Sequence, residues 1–121
     1  DDKTERLTNS IKTYYTNIEN KLEFLLKLLK SEFKINTSTD TFKNILESEV
    51  LIIDGLGNES ITTWSRDEIL LSILDNRLQL DKTTFLCSEF SIEELRKLYK
   101  LNYNDEVKVN QLIDKINSIR G

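Results

Sequence analysis

The sequence predicts an α/β domain, mostly helical, with a small parallel sheet built from strands near 49–54 and 83–87. Three observations carry this expectation. Val50-Leu51-Ile52-Ile53 is an unbroken aliphatic run closed by Asp54 and Gly55, the pattern of a short strand buried on both faces. Thr84-Phe85-Leu86-Cys87 is a second apolar, strand-forming run. Between them Ile69, Leu70, Ile73 and Leu74 recur at helical spacing, and a strand, a helix of crossover length and a second strand pair in parallel.

Composition narrows the function classes. A chain of 121 residues with 38% hydrophobic and 31% charged side chains fits a single globular domain, 1–121, able to bury a core. No apolar run reaches the ~20 residues of a membrane span and no signal-peptide pattern opens the chain, so the expected location is cytoplasmic. One Cys rules out a disulfide framework, and the absence of His removes Cys/His zinc sites and histidine general bases. A net charge of −4 argues against nucleic acid as a direct high-affinity ligand. The chain opens on Asp1 and lacks Met, which points to a piece of a longer polypeptide.

The elements follow in order. From Thr4 to Lys34 there is no Gly or Pro, and Leu7, Ile11, Tyr15, Ile18, Leu22, Leu25, Leu29 and Phe33 step by three and four. This 4–34 amphipathic segment reads as one long helix, or two broken near Asn17 to Asn20, with a core-facing stripe preferred over a dimerisation seam. Its Lys27, Lys30 and Lys34 share a side, diluted by Glu19, Glu23 and Glu32. After the polar break 36–39, Asp40 is expected to cap a short helix carrying Phe42, Ile45 and Leu46. Gly55 and Gly57 open a loop, and Thr62 or Thr63 is expected to cap the crossover helix. Ser91 and Glu94 have capping-box spacing for a helix to about Lys100, and Asn104 is placed to cap a last helix bearing Val109, Leu112, Ile113 and Ile116.

The chemistry converges on Asp54, a carboxylate at the carboxyl edge of a buried strand, where nucleotide-binding α/β proteins hold magnesium. Standing alone, such an acid before two glycines reads first as an ordinary turn. Cys87 has no base beside it and is expected to be a small buried side chain. Trp64 is expected to pack against the carboxyl end of the first strand, and Arg66 and Arg77 to bind phosphate or a carboxylate, or to form surface ion pairs with Asp67 and Asp75.

The order of residues over 49–97 resembles the AAA+ module of bacterial replicative helicase loaders of the DnaC/DnaI type, and of the related transposition helper ATPases. The positions that carry the resemblance are Asp54, Leu56, Gly57, Trp64, Arg66, Arg77, Ser88, Ser91, Glu94 and Leu95. It implies a reduced P-loop NTPase (AAA+)-like domain, with 41–121 as a partial AAA+-like core and Asp54 as the magnesium-binding acid. ATP and Mg become the implied cofactors, none being required by the sequence itself.

The departures are as specific as the matches. The family's second, water-polarising acid falls on Gly55 and its sensor asparagine on Glu89, a carboxylate that would repel phosphate. The proline that opens the second strand is Thr83, no arginine lies in 101–107, and two arginines of the last helix fall on Gln111 and Lys115. Lys12 and Thr13 could be the remnant of a phosphate loop, as nucleotide- and Mg-binding residues, yet Arg6 and Ile11 replace the glycines such a loop needs. A solvated helix face is the stronger reading of that pair.

Three functions remain. The first is a catalytically degenerate helicase-loader-like protein that acts by protein–protein interaction in DNA replication, on a replicative helicase or its loader within the primosome. The second is an ATP-binding loader subunit whose remaining motifs lie outside the chain. The third is a helical homo-oligomeric interaction domain, since two strands leave sheet edges to be covered.

Overall fold

The computed structural model describes residues 21–34 and 40–120. Expectations for 4–20, Lys12 and Thr13 included, and for the polar break at 36–39 lie outside them. Helix α1 spans Leu22–Phe33. It does not run unbroken from Thr4, because Lys21 takes an extended backbone (φ −87°, ψ 125°). The reason lies in the sheet: the Leu22 amide, which has no helical carbonyl to reach, donates to Asp54 O at 2.8 Å, and Lys21 bridges Asp54 in parallel. Leu22, Leu25, Leu26 and Leu29 are buried, so the stripe of α1 faces the core.

Helix α2, Asp40–Glu47, starts at Asp40 itself, whose carboxylate meets the positive end of the helix dipole. Phe33, Phe42 and Trp64 form an edge-to-face series, with centroids 5.9 Å apart for Phe33–Phe42 and 6.4 Å for Phe33–Trp64. Trp64 therefore packs on α1, and not simply at the end of the first strand as expected.

Strands β1 (Val50–Ile53) and β2 (Thr83–Leu86) pair in parallel, with Val50 opposite Thr83 and Ile53 opposite Leu86. Ile53 O accepts from the Cys87 amide at 2.9 Å while Asp54 O accepts from Leu22. Successive carbonyls of a strand point opposite ways, so Lys21 lies on the edge of β1 away from β2. Val50, Leu51 and Ile53 are buried. In β2 exposed and half-buried residues alternate, and Phe85 is 51% exposed. Cys87, expected to be buried, is exposed, because β2 ends at Leu86 and one side of it stays uncovered among the described residues.

The crossover begins at Thr62. Its hydroxyl accepts from Ser65 N at 3.0 Å, and Ser65 Oγ accepts from Thr62 N at 2.9 Å, a reciprocal cap with serine in the usual place of glutamate. A π-helical stretch, Trp64–Leu70, leads into α3, Leu71–Gln79, and Leu71 N donates to Arg66 O five residues back. The wider turn keeps Arg66, Ile69, Leu70, Ile73, Leu74 and Arg77 all turned inward.

Helix α4, Ile92–Tyr99, carries the expected capping box: Glu94 N donates to Ser91 Oγ at 3.1 Å and Ser91 N to Glu94 Oε1 at 3.0 Å. Helix α5, Glu106–Arg120, begins after Asp105, not after Asn104. Asp105 is fixed there because its carboxylate is committed elsewhere, to Arg66 and to the Leu101 and Asn102 amides. Leu112, Ile113 and Ile116 of α5 join α1, β1 and α3 in one buried cluster. No helix among the described residues is long and apolar enough to cross a membrane.

Candidate functional site

Asp54 stands at the carboxyl end of β1, where the chain leaves the sheet. Its Oδ1 accepts from Gly55 N at 2.8 Å, and Lys21 Nζ lies 4.0 Å from Oδ2. The Asp54 side chain is 37% exposed, so it is open to a ligand while already sharing its charge with a lysine. One carboxylate supplies part of a magnesium shell, and the remaining ligands would have to be water and nucleotide phosphates. No group of three or more metal-ligating Cys, Asp or Glu side chains occurs among the described residues. The residues present fit a phosphate-supported magnesium and not a protein-built metal site.

The loop after Asp54 is held at nearly every polar backbone group. Leu56 N donates to Cys87 O at 3.1 Å, and Leu56 O accepts from Ser88 Oγ at 2.6 Å, tying the loop to the end of β2 in both directions. Asn58 N closes a turn on Gly55 O at 2.9 Å. Gly57 N donates to Glu59 Oε1 at 2.7 Å. Gly55 and Gly57 hold φ of +76° and +97°, in the left-handed region that favours glycine. At Gly57 a Cβ would also lie 2.7 Å from Phe90 Cδ2 and 2.9 Å from Leu95 Cδ2, so no other residue fits there without displacing both.

Ser88 is thus a strut: it donates to Leu56 O and accepts from Phe90 N at 3.1 Å. Glu89 is exposed in the turn that follows β2. Arg66 and Arg77 are 2% and 0% exposed, which corrects the expectation of surface ion pairs. Arg66 is bidentate to Asp67 at 2.7 and 2.9 Å, and its Nη1 reaches Tyr99 O at 2.9 Å and Asp105 Oδ2 at 2.8 Å. The Asp67 hydrogen bond, ahead of the opposing effect of burial, raises the affinity of Arg66 for its proton, and Arg66 in turn lowers the Asp105 pKa. Arg77 donates to Ile45 O and Ser48 O at 2.8 Å, to Thr83 O at 2.7 Å and to Thr84 Oγ1 at 2.8 Å, so it joins the end of α2 to the start of β2. Asp75, expected near Arg77, pairs instead with Lys115 of α5 at 2.8 Å, which lowers its pKa. Lys27 pairs with Glu23 at 3.4 Å and lies 5.6 Å over the Phe24 ring, which spends part of the cationic face of α1.

The structure therefore brings Asp54, Gly57, Ser88 and Glu89 to one end of the sheet and places Trp64, Arg66 and Arg77 in the framework behind it. Reasoning from sequence passed over Glu59, Tyr99, Asp105 and Lys21. Glu59, two residues past a glycine required by its φ, was the one with a local signal.

No family model matches the chain. The Replicative helicase loader DnaI of Bacillus subtilis (strain 168) is 31% identical over 91 residues, which are 73% of this chain and 29% of that protein. A crystal structure of DnaI superposes with a TM-score of 0.57 at 25% identity, over 78% of this chain and 48% of that one. The chain belongs to the DnaC/DnaI-type helicase-loader family. Its two parallel strands, crossover helix and flanking helices are a reduced form of the α/β P-loop fold of these loaders. This family member spans under a third of the length of the curated loader that it matches.

Proposed function

We propose that this loader-family chain is catalytically degenerate and works by binding a protein of the replication machinery, a replicative helicase or its loader. The observation that carries this reading is Gly55. It stands where the family resemblance puts a water-polarising acid, and it has no side chain. Its φ of +76° costs residues with a Cβ roughly 1–2 kcal/mol, so the turn favours glycine, and restoring an acid would strain it. Glu89 at the sensor position and Lys21 beside Asp54 support the same reading, the first by repelling phosphate and the second by competing with a divalent cation.

A fluorescent ATP analogue titrated with magnesium, alongside a phosphate-release assay, tests the proposal. The expected result is no turnover above background, and no loss on Asp54→Asn. Tight binding with turnover abolished by Asp54→Asn overturns it.

A second reading, an ATP-binding loader subunit within a longer polypeptide, is favoured by two observations. Asp54 remains half-exposed at the carboxyl end of β1, and the outer side of β2 carries no strand among the described residues. It predicts that ATP with magnesium raises the Tm by mass action. A homo-oligomer that covers the β2 edge is the third reading, and a strict monomer by light scattering removes it.

A further inference from the structure

The buried pair Glu59–Tyr99 is not explained by the family positions or by the proposed binding role. Glu59 is 7% exposed and Tyr99 0%. Tyr99 OH donates to Glu59 Oε2 at 2.6 Å, and the other oxygen accepts from Gly57 N at 2.7 Å. A carboxylate withdrawn from water to this extent is costly unless its oxygens are satisfied. Both are, one by the loop that follows Asp54 and the other by the last residue of α4.

The connection continues beyond Tyr99. Its carbonyl accepts from Arg66, and Arg66 shares Asp105 Oδ2 with the Leu101 and Asn102 amides, at 2.8, 3.0 and 2.9 Å. These bonds set the course of the chain between α4 and α5. That corner is where Leu101, Tyr103 and Val107 are exposed, Tyr103 by 91%.

We infer that Glu59 is a positioning residue: with Tyr99 it fixes the Asp54 loop through Gly57 and couples that loop to the exposed α4–α5 corner. Glu59, Tyr99 and Arg66 are buried, Asp105 is partly buried, and each has one partner on the loop side and one on the corner side. The alternative arrangement needs a buried carboxylate or phenol to lose its partner, and so the two ends move together. The inference does not require that Asp54 bind a metal. It gives the loop a readout at the exposed corner that carries Leu101, Tyr103 and Val107.

Residue-resolved amide exchange by NMR on the whole chain tests it, with Glu59→Ala, Glu59→Gln and Tyr99→Phe compared with the parent. Glu59→Ala is expected to speed exchange at Gly57 by about tenfold, the loss of roughly one buried hydrogen bond. The same variant is expected to speed exchange at Leu101 and Asn102. Glu59→Gln keeps an oxygen for Gly57 N–H and is expected to restore its protection. Unchanged exchange at Gly57 in Glu59→Ala overturns the positioning role, and a change at Gly57 with none at Leu101 and Asn102 overturns the coupling. If Glu59→Ala does not fold, Tyr99→Phe, which removes one oxygen, decides: parental exchange at Gly57, Leu101 and Asn102 overturns the inference, and faster exchange at all three supports it.

Discussion

The two strands of the sheet and the turns that leave them behave oppositely. β1 is buried at Val50, Leu51 and Ile53 and half-buried at Ile52, and its loop has its backbone groups tied to β2, to Glu59 and to itself. β2 pairs with β1 along one edge but is exposed at alternate residues, and its turn presents Cys87 and Glu89 to solvent. Neighbouring strands in perfect register thus contribute differently: one is core, the other a ledge on which the Asp54 loop rests through Ser88 and Cys87 O.

The comparison breaks most sharply at single apolar side chains. Ile53, 1% exposed, is expected to cost about 2–5 kcal/mol as Ile53→Ala, through lost transfer energy and a cavity, while Phe85→Ala across the sheet stays within about 1 kcal/mol. Urea unfolding of the two variants checks it, and equal losses would mean that β2 is covered in solution. Within the loop, Gly57→Ala is expected to destabilise by about 2–3 kcal/mol, since its Cβ meets Phe90 and Leu95 as well as adopting φ +97°. Gly55→Ala has 4.0 Å of clearance to Lys21 Cδ and should cost only about 1–2 kcal/mol, from conformational strain alone. Thermal melts that rank Gly55→Ala as the worse variant would contradict this geometry.

On the β2 side, Ser91→Ala removes the acceptor for Glu94 N and is expected to cost about 1 kcal/mol, read as a lower Tm without a change in the denaturant slope. The smallest effect is a slope with pH. Burial raises the Glu59 pKa above its ordinary value of 4.5, against the lowering by the Tyr99 and Gly57 hydrogen bonds. A raised pKa in the folded state means that the folded protein binds the proton more tightly. Stability from this group is therefore full below pH 4.5 and falls as pH rises through the raised value. Glu59→Gln should flatten that fall, and an unaltered pH profile between parent and variant would count against the burial effect.

Both strands, the crossover helix and the capping box were legible because each rests on local rules: an aliphatic run, apolar spacing, and Ser-x-x-Glu. The ends of elements were less so. Asn104 looked like a cap by type, but Asp105 holds the position because Arg66 reaches it from 39 residues away. The first amphipathic segment read as one long helix or as two broken near Asn17 to Asn20, and Lys21 marks the start of α1 through a strand carbonyl distant in sequence.

The sequence by itself determined the α/β class, the parallel pair of strands, the helix periods and the placement of Asp54 directly before Gly55. Only the tertiary structure decided what surrounds them. It buried Arg66 and Arg77 within the framework, exposed Cys87, set Lys21 next to Asp54 and closed Glu59 on Tyr99. The physical reason is that period and capping are set by neighbours within a few residues, whereas the satisfaction of a buried charge depends on groups that only folding brings within hydrogen-bonding distance.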